Sequence, residues 1–131
     1  MTTTDNGLTV RSKVWFVIDE LHAFGSGLAG LLEGIDRLGT LSQAALGTGM
    51  SYRYAWKLIK NAEKHAGTRL TVPQPGGAGG GRSKLSADGR QFLAAFQRIS
   101  QEVASFADSR FRELGFKMTK RPGGVPNHDR T

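Results

Sequence analysis

The 131-residue chain contains no cysteine, which excludes disulfide frameworks, thiolate catalysis and Cys-ligated zinc. Long apolar runs are missing too. Val14 to Ile18 is too short for the apolar core of a signal peptide and falls far below the roughly 18 residues a membrane helix needs. With Met1 to Gly7 polar, the expectation is a soluble cytoplasmic protein. His22, His65 and His128 are scattered without metal-ligand spacing, so no metal is expected, and His65 suits the negative end of a helix. Asp19, Glu20 and Asp36 form no acid–base constellation. Neither catalysis nor a cofactor is expected.

Acidic residues are in short supply. Eleven Asp and Glu face 18 Lys and Arg, for a formal charge of +7. The imbalance is uneven: residues 1–50 hold Arg11, Lys13 and Arg37 against Asp5, Asp19, Glu20, Glu33 and Asp36, so the basic excess lies beyond them. A polyanionic partner, nucleic acid above all, accounts for such a distribution.

Punctuation along the chain is clear. Residues 1–7 read as disordered. Leu8, Val10, Val14, Phe16 and Ile18 at even spacing predict an N-terminal strand, with Ser12 interrupting its apolar face. A helix is expected over Gly27 to Leu38, weakened by Gly30 and Gly34 and stopped by Gly39. Thr40-Leu41-Ser42-Gln43 fits a capping box opening a short helix to about Leu46, in which Ala44 and Ala45 permit close packing. Gly47-Thr48-Gly49 is the expected break, and Ser51 caps a longer helix that reaches about His65 before Gly67. Leu70 to Val72 and Arg82 to Leu85 predict a hairpin around the glycine-rich run that follows Pro73-Gln74-Pro75. Asp88 or Ser86 caps a final helix to about Phe111 or Leu114, and residues 115–131 read as a disordered basic tail.

A short helix, a glycine turn and a longer helix over Thr40 to His65 form a helix-turn-helix pattern. Ala55, Leu58, Ile59 and Ala62 lie at core spacing on the second helix, while Tyr52, Arg53, Tyr54, Lys57 and Lys60 occupy its other face. Arg53 suits guanine O6 and N7, Tyr52 or Tyr54 a thymine methyl or phosphate, and Lys57, Lys60 and Lys64 suit phosphates. Trp56 reads more blandly, as a core anchor. Ser51, Thr40 and Gln43, at the two helix starts, complete the candidate DNA-binding set on the helices. Arg82 and Lys84 belong to a wing over residues 70–85 whose 73–84 portion would lie on the DNA backbone.

The stretches Gly39-Thr40-Leu41-Ser42-Gln43-Ala44-Ala45, Gly49 to Trp56, Gly76 to Gly81 and Leu85-Ser86-x-x-Gly89-Arg90 resemble the N-terminal domain of ModE-type molybdate-responsive regulators. LysR-type domains are similar more distantly. The resemblance covers about residues 8–110 and implies a winged helix-turn-helix, here residues 8–85, that dimerises through the helix that follows. It also implies recognition roles for Ser51, Tyr52, Arg53 and Lys57, and wing roles for Arg82 and Lys84. No counterpart of the C-terminal oxyanion-binding domains stands in this sequence, so a molybdate or other oxyanion effector does not carry over. Pro73-Gln74-Pro75 departs from the acidic–basic opening usual for the wing.

The final helix points to a dimer independently. Phe92, Phe96, Ile99, Val103 and Phe106 recur in the heptad rhythm of a two-helix seam, over a dimerisation helix at residues 86–114. The predicted fold class is mainly α with a small β-hairpin wing, an N-terminal strand and a long C-terminal helix. The expected function is sequence-specific duplex DNA binding by a homodimer. The alternative is a winged-helix protein-interaction module or a single-stranded nucleic-acid binder. A nucleotide-binding reading of Gly76-x-x-x-x-Gly81-Arg82-Ser83 fails because arginine replaces the required lysine and strand-like residues follow where a helix must begin.

Overall fold

The computed structural model describes residues 7–75 and 81–116. The described residues fall into two compact units, one within 14–99 and the other formed by those of 1–13 with those of 100–131. The expected tail beyond residue 116 and the glycine tip at 76–80 lie outside the described residues.

The larger unit opens with an antiparallel ribbon, β1 (Phe16–Ile18) and β2 (His22–Phe24), in the register Phe16↔Phe24, Val17↔Ala23, Ile18↔His22. Phe16, Ile18 and Phe24 face the core, while Val17 and Ala23 are exposed. The strand expected over Leu8 to Ile18 is thus confined to its last three residues, and β2 is an addition. The turn between them has no glycine: Asp19 and Glu20 both take positive φ, 57° and 61°, at a cost of about 1–3 kcal/mol each. Residues that resist this conformation hide the hairpin from sequence reading.

Helix α1 (Ser26–Leu38) places Leu28, Leu31, Leu32 and Ile35 on one fully buried stripe. It ends at Gly39, whose φ of 86° requires glycine and whose N–H donates to the Ile35 carbonyl at 2.8 Å. Helix α2 (Leu41–Thr48) starts where the Thr40 hydroxyl accepts the Gln43 N–H at 3.0 Å. The break after α2 is narrower than expected, because Gly47 and Thr48 remain helical. The Thr48 hydroxyl donates to the carbonyls of Ala44 and Ala45, and Gly49 alone turns the chain. Small residues bring α1 and α2 together: a Cβ on Gly34 would stand 2.7 Å from the Ala44 Cβ. The glycine that weakens α1 locally is therefore needed for its packing.

Helix α3 (Tyr52–Ala66) buries Ala55, Ile59, Ala62 and Glu63 and stops at Gly67. Strands β3 (Thr71–Pro73) and β4 (Ser83–Leu85) pair antiparallel, as expected within a residue, with Pro73 paired to Ser83. Of the two candidate caps for helix α4 (Ala87–Leu114), Ser86 is used: its hydroxyl accepts the Gly89 N–H at 2.9 Å and donates to the Arg69 carbonyl. A Cβ on Gly89 would meet the Leu70 carbonyl oxygen at 2.1 Å, so only glycine lets α4 seat on the strand entry.

Among the five heptad residues of α4, Phe96 is buried and Phe92 half-buried in the chain's own core, both edge-on to Phe16 with ring centroids 5.4 and 5.3 Å away. Ile99, Val103 and Phe106 are exposed. In the smaller unit, Arg110 pairs with Glu113 at 2.6 Å and Phe111 lies 6.2 Å from Phe116.

Candidate nucleic-acid interface

Helix α3 is amphipathic in a way that leaves its cationic and aromatic side chains outside. Its buried stripe is apolar except for Glu63, and the opposite faces carry Tyr52, Arg53, Tyr54, Lys57 and Lys60, all exposed. The Ser51 hydroxyl accepts the Tyr54 N–H at 3.1 Å, which fixes the first turn, where side chains project beyond the helix end. Trp56 is not a core anchor: it is 46% exposed.

The exposed residues fall on two stripes. Tyr52, Trp56 and Lys60, spaced by four, line a groove of about 580 Å³ between α3, the start of α2 and the β3–β4 hairpin. The Lys60 ammonium lies 5.8 Å from the Trp56 ring centroid. Arg53 and Lys57 do not line that groove; at i−7 and i−3 from Lys60 they continue along the helix face beside it. Across the groove stand Arg69 and Arg82, with Thr40 and Ser42 at its α2 end. Of the two hairpin cations expected to act together, only Arg82 lines the groove. Lys84 is exposed and pairs in register with Val72. Gln43 contributes its backbone N–H to the cap and leaves its side chain exposed.

The hairpin is tied to the helices at both ends. The Ser83 N–H donates to the Gly39 carbonyl at 2.8 Å, and Thr40 and Arg82 form an isolated antiparallel bridge. The Arg82 guanidinium lies so close over Gly39 that a Cβ there would meet its Nη2 at 2.2 Å. At the other end, Glu63 Oε2 accepts the backbone N–H groups of Leu70 and Thr71 at 2.8 and 3.2 Å, while Oε1 faces Lys60 at 3.5 Å. One buried carboxylate thus orients β3 against α3.

Arg69, Trp56 and Glu63 are the functional candidates that sequence reading missed. The spacing of Tyr52, Trp56 and Lys60 carried a usable signal for Trp56. Arg69 and Glu63 carried none, because their roles depend on where the hairpin docks. Two histidines that look unrelated in sequence meet instead: His22 and His65 stack with centroids 3.4 Å apart, and the His22 Nδ1 is buried without a partner. His128 lies outside the described residues. Among the described residues no group of three or more potential metal ligands occurs, and no helix is long and apolar enough to cross a membrane.

No protein-family model matches the chain. It is 32% identical over 85 residues to a molybdenum-pterin-binding protein, MopB, of Rhodobacter capsulatus, a stretch covering 65% of this chain and 32% of the relative. It is 35% identical over 78 residues to the molybdenum transport protein ModE of Azotobacter vinelandii, covering 60% and 29% respectively. The ModE of Herbaspirillum seropedicae is 28% identical over 86 residues, 66% of this chain and 32% of that protein. The chain thus spans about a third of the length of these relatives.

Proposed function

We propose that the chain is a sequence-specific duplex-DNA-binding transcriptional regulator. In this reading α2, Gly49 and α3 form a helix-turn-helix, α3 enters the major groove, and the β3–β4 hairpin is the wing. The observation that carries it is the exposed Arg53, Lys57 and Tyr54 surface of α3, set on a helix whose other side is locked into the core. Arg53, next to the capped N-terminus, is placed to fork onto a guanine edge, and Lys57 and Lys60 to neutralise phosphates. The protein acts in the cytoplasm as a homodimer, through the exposed Ile99, Val103 and Phe106 of α4, without catalysis. Two-fold symmetry would set recognition helices about 34 Å apart, one turn of duplex. Alignment with proteins named for molybdenum binding and transport supports a regulatory role linked to that metal's supply.

In vitro selection of duplexes by the full chain at near-physiological salt tests this reading. A palindromic consensus with half-sites one helical turn apart is expected. Recovery of no consensus, or capture of single strands in preference to duplexes, favours the protein-interaction or single-strand alternative instead.

A further inference from the structure

We propose that the groove between α3 and the hairpin is also a site for a small planar aromatic anion, an aromatic carboxylate or aryl phosphate, and that its occupancy excludes duplex DNA. The exclusion rests on the DNA-binding reading above; the binding itself does not.

Two chemistries meet in the groove. Its exposed apolar surface comes chiefly from the half-exposed Trp56 and Tyr52 rings and from Val72, with the buried Ile35 and Ile59 behind them. Its charge comes from Lys60, Arg69 and Arg82. Glu63 pairs with two of these cations, its Oε1 with Lys60 at 3.5 Å and its Oε2 with Arg69 at 4.0 Å. Oε2 also accepts two backbone N–H groups, so this one carboxylate is shared among several donors. Arg82 forms no ion pair among the described residues. A phosphodiester run satisfies cations but leaves an indole and an aliphatic surface unmatched. A flat ring bearing an anionic group matches both at once, with the ring on Trp56 and the anion toward the arginines. A volume of about 580 Å³ falls within the range of small-molecule sites. Tyr52, Lys60, Arg82 and Thr40 line the groove and also belong to the proposed DNA surface, so the two ligands compete and each weakens the other equally.

The probe is 2-naphthoate, titrated into the full chain at fixed ionic strength and followed by the indole N–H resonances, with Trp15 as internal control, and by isothermal titration calorimetry, which also reads the variant that lacks Trp56. Saturable movement of the Trp56 signal alone is expected. Trp56→Ala and Arg69→Gln should each weaken binding by about tenfold or more, with unchanged thermal melts showing that both variants fold. The neutral 2-naphthylmethanol should bind about tenfold more weakly. In a second arm, naphthoate should displace a labelled selected duplex, which Trp56→Ala renders insensitive to it. Unsaturable shifts that move Trp15 equally, binding unaffected by both variants, or full displacement by equimolar inorganic phosphate would overturn the site. Simultaneous binding of naphthoate and duplex would overturn the exclusion. A chain that binds naphthoate but no duplex removes the DNA reading and leaves the site standing.

Discussion

Glu63 on α3 accepts the backbone N–H of Leu70 at 2.8 Å, across the turn that separates the helix from β3. The same oxygen also accepts from Thr71, so this carboxylate is the joint between the candidate recognition helix and the hairpin. Glu63→Ala leaves two donors without an acceptor and should destabilise the fold by about 2–4 kcal/mol in a denaturant titration. Glu63→Gln keeps one acceptor oxygen and should cost less than half as much. Equal losses for the two variants would mean that the hydrogen bonds are not what Glu63 supplies.

Gly34 and Gly47 are both helical glycines, yet they should respond oppositely to alanine. At Gly47 a Cβ meets nothing within 4 Å, so Gly47→Ala should stabilise by about 0.5–1 kcal/mol through helix propensity. At Gly34 it would stand 2.7 Å from the Ala44 Cβ and 3.0 Å from the Ala44 Cα. Gly34→Ala should therefore destabilise by about 1–3 kcal/mol despite the same propensity gain. A melting temperature raised by both substitutions would contradict the close approach of α1 and α2.

Arg53→Ala should weaken binding to a selected duplex by about 1–3 kcal/mol and relax the consensus at one position. Lys57→Ala should weaken binding to all sequences alike and reduce the salt slope by about one. Fluorescence anisotropy across a salt series separates these effects. Retention of full affinity and slope when Arg53→Ala and Lys57→Ala are combined would remove α3 from the interface.

Association should depend on the exposed half of the heptad stripe. Val103→Asp with Phe106→Asp is expected to yield a folded monomer by sedimentation equilibrium, since both residues are exposed in the isolated chain. Phe96→Asp should unfold the protein, because Phe96 is buried against Phe16. If the double variant sediments as the parent does, α4 is not an association surface.

The helices were legible because their signals are local. Thr40 and Ser51 cap where their hydroxyls reach an N–H three residues ahead, and Gly39, Gly49 and Gly67 take the positive φ that ends a helix. The β3–β4 hairpin was likewise marked by its glycine-rich connection. The β1–β2 hairpin was not, since Asp19 and Glu20 hold positive φ against their own preference. The turn is closed by the Leu21 N–H donating to the Ile18 carbonyl at 3.2 Å, in a conformation that the Asp-Glu pair does not announce as Asn-Gly or Asp-Gly would.

The candidate site divides the same way. Amphipathic spacing alone determined that α3 would turn Arg53, Tyr54 and Lys57 outward, because a 3.6-residue repeat assigns faces before anything packs. Only the tertiary structure decided that Trp56 and Arg69 share a groove with Arg82, that Glu63 holds the hairpin to α3, and that Phe92 and Phe96 belong to the chain's own core. Those relationships join residues distant in sequence. Their energies come from burial and from hydrogen-bond donors that must find partners away from water, and neither is set until the elements meet.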